Sequence, residues 1–217
     1  MPPFALPKRP LTESRVALVT TSGVHLKSQE PFDIDDPLGD CSYRGIPPDA
    51  GYDDLTWTHY DHAPEREKPG DLDGLLPLWT LGRIAEDGLV GSVSVRHFSF
   101  MGAIHDAGPL IEETAPEVAG RLVTDEVDVA LITPACPLCH RNAALIASET
   151  ERSGVPTVTL SMEADMDAPR VGRVGFPYNE PCGPPNDAPL HREVVLAALS
   201  LGWEMEEPGE VRLPFGW

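Results

Sequence analysis

The sequence predicts an α/β domain: a single, mostly parallel sheet flanked by helices, with its site at the carboxyl ends of the strands. Three observations predict it. Apolar, β-branched runs of strand length recur at 15–21 (RVALVTT), 127–133 (VDVALIT) and 155–162 (VPTVTLSM). Segments with apolar residues at helical spacing alternate with them. The chain has 217 residues, 41% of them hydrophobic, which is enough to bury one core.

Taken in order, RVALVTT ends in small polar residues and Gly23, so it reads as a buried strand feeding a loop. Residues 27–74 are rich in turn formers and lack helical periodicity, which predicts a long functional loop. In 76–88, Leu78, Leu81, Ile84 and Ala85 share a helical face and Gly88 suits the stop. GSVSVRHFSF (91–100) alternates like a strand, and MGAIHDAG is the loop after it. Residues 109–123 open with Pro109 and carry acids in the first turn, as a helix start does. A helix over 139–154 places Ala143, Ile146, Ala147 and Thr150 together, with Gly154 as the stop. A pocket-rim loop spans 163–190 with a short strand at 170–177 inside it, and an amphipathic helix follows at 190–202.

Charge narrows the function classes. Against 35 acidic residues stand 16 Lys and Arg, a formal charge of −19, and no local basic patch is visible. Such a surface repels phosphate backbones and anionic membranes, so nucleic-acid and membrane partners are not expected. The opening residues MPPFALPKRPL lack a signal-type apolar run, and no run approaches the ~20 apolar residues of a spanning helix. The reading is therefore cytoplasmic, with the four cysteines expected as reduced thiols.

Chemistry concentrates in TPACPLCHRN, 133–142. The letters C-x-x-C-H allow a haem tether, part of a zinc site, a redox pair, a nucleophile with its resolving thiol, or two packed cysteines. The zinc version uses Cys136, Cys139 and His140, completed by Cys182 or Cys41, although no second knuckle accompanies it. Position favours reactive thiols. The motif falls between a buried strand and the following helix, where open α/β sheets bind ligands. Free N–H groups and the partial positive charge of the helix start lower a thiol's pKa. An ionised and accessible Cys136 is the expectation.

The run TPACPLCHRNAALIASETERSGVPTVTL resembles the selenoprotein B component of glycine, sarcosine and betaine reductases and the related D-proline reductase subunit. In that pattern Cys136 stands where the family often has selenocysteine, and Cys139 matches the second position. ALVTTSGVHL (17–26), GDCSYRGIP (39–47), THYDH (58–62), LPLWTLGRIAEDGLVG (76–91) and HFSFMG (97–102) resemble further family segments in the same order. The resemblance implies reductive cleavage of a carbon–heteroatom bond (C–N or C–S) in a small amino-acid-like or heterocyclic substrate. Cys136 is then the catalytic nucleophile, Cys139 the resolving thiol, and an external, thioredoxin-like thiol protein the reductant. No bound cofactor is expected in this chain. The family's amino-acid reductases use a pyruvoyl group on a partner subunit, and no self-cleaving precursor is recognisable in these residues. A partnered enzyme and a stand-alone one acting on a thione or thioether both stay open, as do a homo-oligomer and a subunit of a reductase complex.

Candidate substrate-binding residues follow. Thr20, Thr21 and Ser22 end the first strand and could receive an anionic group. Arg44 could grip a carboxylate or pair with Asp40 or Asp61. His59 and Asp61 sit in a loop that the resemblance places near the pocket, where a histidine could protonate a leaving group. Gly102 could let the backbone approach a ligand. Cys41 reads as a packing residue, Cys182 as part of the rim loop, and His105 as a surface residue.

Overall fold

The computed structural model describes residues 3–59 and 71–217. Among them β1 (Arg15–Thr21), β5 (Ser92–Val93), β6 (His97–Phe100), β7 (Val129–Pro134), β8 (Thr157–Ser161), β9 (Arg170–Arg173) and β10 (Gly209–Arg212) run parallel, while β3 (Tyr43–Ile46) is antiparallel to β6. The sheet order is β10-β9-β8-β7-β1-β6-β3, with β5 also on β1. A separate antiparallel ribbon joins β2 (Val24–Leu26) to β4 (Leu55–Trp57). Helices α1 (Leu78–Glu86), α2 (Ala115–Thr124), α3 (Pro137–Arg152) and α4 (Ala188–Glu204) complete the α/β architecture.

Why the central strands are apolar throughout follows from their two covered faces. Val16, Leu18, Val129 and Leu131 face one side with residues of α1 and α4. Their neighbours Ala17, Val19, Ala130 and Ile132 face the other with residues of α2 and α3. Strand alternation thus sorts one continuous run into two cores. β1 and β7 pair in register from Val16↔Val129 to Thr21↔Pro134, so the residues after both strands emerge side by side.

The predicted strand at 91–100 divides into β5 and β6. Between them Arg96 turns outward and forms a two-pronged ion pair with Asp125, at 2.6 and 2.8 Å. The predicted loop 27–74 carries β3, β4 and short 3₁₀ turns. Three- and four-residue strands there are too brief to leave a periodic signal. The helix predicted at 109–123 begins with a π turn over Leu110–Thr114 before α2 proper. No helix among the described residues is long and apolar enough to cross a membrane.

His97 ties β6 to β1 by side chain: its Nδ1 accepts from the Leu18 N–H at 2.9 Å. Burial disfavours its charged form and pulls its pKa from the ordinary value down to about 3. The folded pKa is depressed, so the unfolded chain gains a proton below pH ~6.5 while the folded one does not. The stability His97 contributes is full above ~6.5 and is lost as pH falls toward about 3. His97→Asn, whose amide oxygen can still accept from Leu18, is expected to reduce the loss of stability between pH 7 and pH 5 by about 2 kcal/mol in urea titrations. An unchanged pH dependence would contradict the assignment. Leu131→Ala, in a fully buried position, is expected to cost about 2–5 kcal/mol in the same measurement.

Candidate functional site

The site begins with how the chain leaves β7. After Pro134 and Ala135 the backbone of Cys136 is extended (φ −125°, ψ 172°), and Pro137 starts α3 with its fixed φ. Cys136 is the N-cap residue, and its sulfur accepts the Cys139 N–H at 3.3 Å. Sulfur here takes the place that a serine or aspartate oxygen usually fills. One turn separates the two cysteines, with a Cα–Cα distance of 4.9 Å, and their sulfurs are joined as a disulfide. The expectation of four reduced thiols is thus corrected at this pair, while Cys41 and Cys182 are free thiols.

His59 arrives from the end of β4, in the two-stranded ribbon. After β1 the chain turns at Gly23, whose φ of +76° lies in the left-handed region. A Cβ at Gly23 would collide with the Thr58 carbonyl, and the Gly23 carbonyl accepts the Thr58 N–H at 2.9 Å. This close crossing sets the end of β4. His59 Nε2 then lies 3.0 Å from Cys139 Sγ and 3.8 Å from Cys136 Sγ. Its ring stacks on Trp57 with centroids 6.2 Å apart. All three residues are buried: Cys136 is 4% exposed, Cys139 0% and His59 5%. The expected accessible sulfur is therefore covered in this disulfide state.

His140, the third ligand of the sequence-based zinc set, is engaged elsewhere. Its Nδ1 donates to the Cys136 carbonyl at 2.6 Å and its Nε2 accepts the Met162 N–H at 3.1 Å. Both nitrogens are committed, and burial lowers its pKa against the opposing pull of the Cys136 carbonyl and Glu163. A neutral imidazole is what this pair of bonds requires. The set Cys136, Cys139 and His140 is corrected: the histidine that faces the sulfurs is His59, and His140 clamps the cysteine turn to the end of β8.

Four of the remaining predicted residues, Thr20, Thr21, Ser22 and Gly102, lie in the frame around the sulfurs. Thr20, Thr21 and Ser22 are fully buried. Thr20 Oγ1 donates to the Thr133 carbonyl at 2.9 Å and shares a 2.8 Å hydrogen bond with Ser22 Oγ. Thr21 Oγ1 donates to the Cys139 carbonyl at 3.2 Å, and the Ser22 carbonyl accepts the Trp57 indole N–H. Their hydroxyls fasten β1 to β7 and α3 here. Gly102 (φ +82°) presses against the Thr21 carbonyl, where a Cβ would collide. Its own carbonyl accepts from Asn142 Nδ2 at 2.8 Å, a contact that the sequence did not suggest. Arg44 makes its hydrogen bonds to groups other than the sulfurs. It donates to the Glu30 and Pro31 carbonyls and to Ser42 Oγ, lies 3.9 Å from Asp40, and stands over the Phe32 ring. Of the two pairings considered, the one with Asp40 is present; Asp61 lies outside the described residues.

The other thiols differ from the pair. Cys182 is fully buried beside Asp73 and Asp71, and burial first, then these carboxylates, holds its thiol protonated; it belongs to the core and not to a rim. Cys41 is half-buried against the Asp106 carbonyl, and its pKa is raised chiefly by burial. His105 is exposed, as expected.

Fold and site together define an α/β protein with a dithiol–disulfide pair at the carboxyl end of a central parallel strand. Comparison with known proteins narrows this. The chain is 30% identical to D-proline reductase subunit gamma of Acetoanaerobium sticklandii over 222 aligned positions, covering 99% of this chain and 89% of that one. It is 27% identical to glycine reductase complex component B subunit gamma of Peptoclostridium acidaminophilum, over 91% of this chain and 47% of that one. The figures are the same for sarcosine reductase complex component B subunit beta of that organism. The chain belongs to the family of D-proline reductase subunit gamma and the component B reductase subunits. It spans nearly all of the former and about half the length of the glycine and sarcosine relatives, at 47%. No protein-family profile matches the chain, and no solved structure matches it.

A methyl group at position 102 tests the frame. Gly102→Ala would meet both a left-handed φ and the Thr21 carbonyl. It is expected to cost about 1–3 kcal/mol in urea unfolding. A neutral substitution would show that β1 can move freely there.

Proposed function

We propose that this chain is the thiol-bearing subunit of a reductase that cleaves a C–N or C–S bond of a small amino-acid-like or heterocyclic substrate. The observation that carries the reading is the disulfide-paired Cys136 and Cys139 at a helix start, with His59 Nε2 3.0 Å from Cys139 Sγ.

In the reduced state, Cys136 is the nucleophile. The Cys139 N–H supports its thiolate directly, and the start of α3 adds a favourable field. The thiolate attacks the activated carbon. A carbon–sulfur bond forms, the C–N or C–S bond breaks, and the leaving group takes a proton. His59 is placed to pass that proton or to take one from Cys139. The Cys139 thiolate then attacks Cys136 Sγ. The carbon–sulfur bond breaks with its electron pair going to carbon, which is protonated, and the disulfide forms. Two electrons and two protons have moved from the dithiol to the substrate. An external dithiol protein reduces the disulfide for the next cycle.

Thr20, Thr21, Ser22 and Gly102 are positioning residues in this scheme, holding the β1 and α3 ends that carry His59 and the sulfurs. Covered sulfurs require the residues over the site to part before substrate enters. Because its relatives are named as reductase subunits, those of glycine and sarcosine reductase as parts of a complex, we assign this chain a partner subunit, with a pyruvoyl group there as the source of substrate activation in the partnered version. Arg44 and Asp61 remain candidates for contacts with substrate or partner.

Two variants test the scheme in protein reduced without oxygen. Cys136→Ser is expected to abolish turnover. Cys139→Ser is expected to stop at a covalent adduct, seen as a substrate-sized mass increase on the peptide that holds Cys136. Full turnover by Cys136→Ser, or an adduct found on another residue, would overturn the assignment.

A further inference from the structure

His59 and the two sulfurs bring three potential metal donors together. His59 Nε2, Cys136 Sγ and Cys139 Sγ all lie within 4.8 Å of one another. A tetrahedral Zn²⁺, with bonds of ~2.3 Å to sulfur and ~2.0 Å to nitrogen, requires N···S separations of ~3.5 Å and an S···S separation of ~3.8 Å. The observed N···S distances, 3.0 and 3.8 Å, bracket the requirement. Only the sulfur–sulfur bond must open, which is what reduction does.

We propose that the dithiol state of this chain binds one thiophilic divalent cation of the Zn²⁺ class through Cys136, Cys139 and His59, leaving a fourth position open. Charge supports it. Two thiolates and a dication sum to zero, which suits a pocket whose three donors are each 5% exposed or less. A second thiolate without a cation would be a desolvated like charge beside the first. The Cys139 N–H already points to Cys136 Sγ at 3.3 Å, a hydrogen bond that steadies a metal-bound thiolate equally well. His140 holds the intervening turn by the Cys136 carbonyl from outside the donor set.

The balance is simple. A dithiol or phosphine reductant gives two electrons and two protons to the disulfide. The cation then displaces two thiol protons with no change of oxidation state. Re-forming the disulfide takes two electrons to an oxidant and releases the ion. Metal and disulfide are thus mutually exclusive, and the loaded site has no free nucleophile. The proposal does not rest on the reductase reading, since a chain without turnover would bind the ion equally.

The test titrates Co²⁺ and Zn²⁺ into the full chain after phosphine reduction, and into the oxidised chain. Reduced protein is expected to retain one ion per chain after gel filtration, to show thiolate-to-Co²⁺ charge-transfer absorption, and to release about two protons per ion below the Cys136 midpoint and about one above it. Oxidised protein is expected to retain none. His59→Gln and His59→Ala, checked for native circular dichroism, are expected to bind at least about tenfold more weakly. Retention by the oxidised chain, no retention by the reduced one, or undiminished binding by the folded His59 variants would each overturn the proposal. If neither variant folds, the spectrum decides: a Co²⁺ complex without charge-transfer bands from two thiolates would overturn it. Turnover by the metal-free reduced enzyme is measured separately, so failure of the metal site and failure of the reductase reading are distinguishable.

Discussion

One hydrogen bond organises the centre of this molecule: the Cys139 N–H donating to the sulfur of Cys136 across the first turn of α3. It is a helix cap made by a cysteine sulfur. Because the cap residue is extended and the next residue is Pro137, the turn has little freedom. The geometry that caps the helix also brings the two sulfurs together and puts Cys136 where the helix field favours negative charge. Stability and reactivity come from one local arrangement.

Around that turn the fold supplies rigidity from two directions. β1 and β7 end in register, so the segments after them share a floor. Thr20, Thr21 and Thr133 pin that floor by donating to backbone carbonyls, Thr133 Oγ1 reaching the Leu75 carbonyl at 2.6 Å. Gly23 and Gly102 permit the two backbone crossings that a side chain would block. The buried hydroxyls of Thr20, Thr21 and Thr133 each have a carbonyl partner, so these three positions carry no unmet desolvation cost. His59 is the beneficiary, since its approach to the sulfurs depends on the crossing at Gly23.

Much of the frame was legible in the sequence because its strands and helices are long and periodic. β1 and β7 announce themselves as apolar runs, and α3 and α4 as amphipathic segments. The brief strands β2 and β4 were not legible: three residues among turn formers carry no period. The cysteines were legible as chemistry, and their place after a buried strand narrowed what chemistry. Which histidine accompanies them was not. His140 is adjacent in sequence but faces backbone, while His59 is separated by about 80 residues and is brought in by tertiary structure. Motif spacing reports neighbours along the chain, and a site of this kind is assembled across it. Exposure was also beyond the sequence: no pattern says that a reactive pair will be 4% and 0% exposed.

That burial bears on the central claim, because desolvation raises a thiol's pKa while the helix start and the N–H donor lower it. The pH dependence of Cys136 alkylation by iodoacetamide, in the reduced native chain with the labelled peptide identified by mass, measures which side wins. The account predicts labelling of Cys136 without denaturant and a midpoint clearly below the ~8.5 of a free cysteine. A midpoint at or above that value, or labelling only after unfolding, would contradict it.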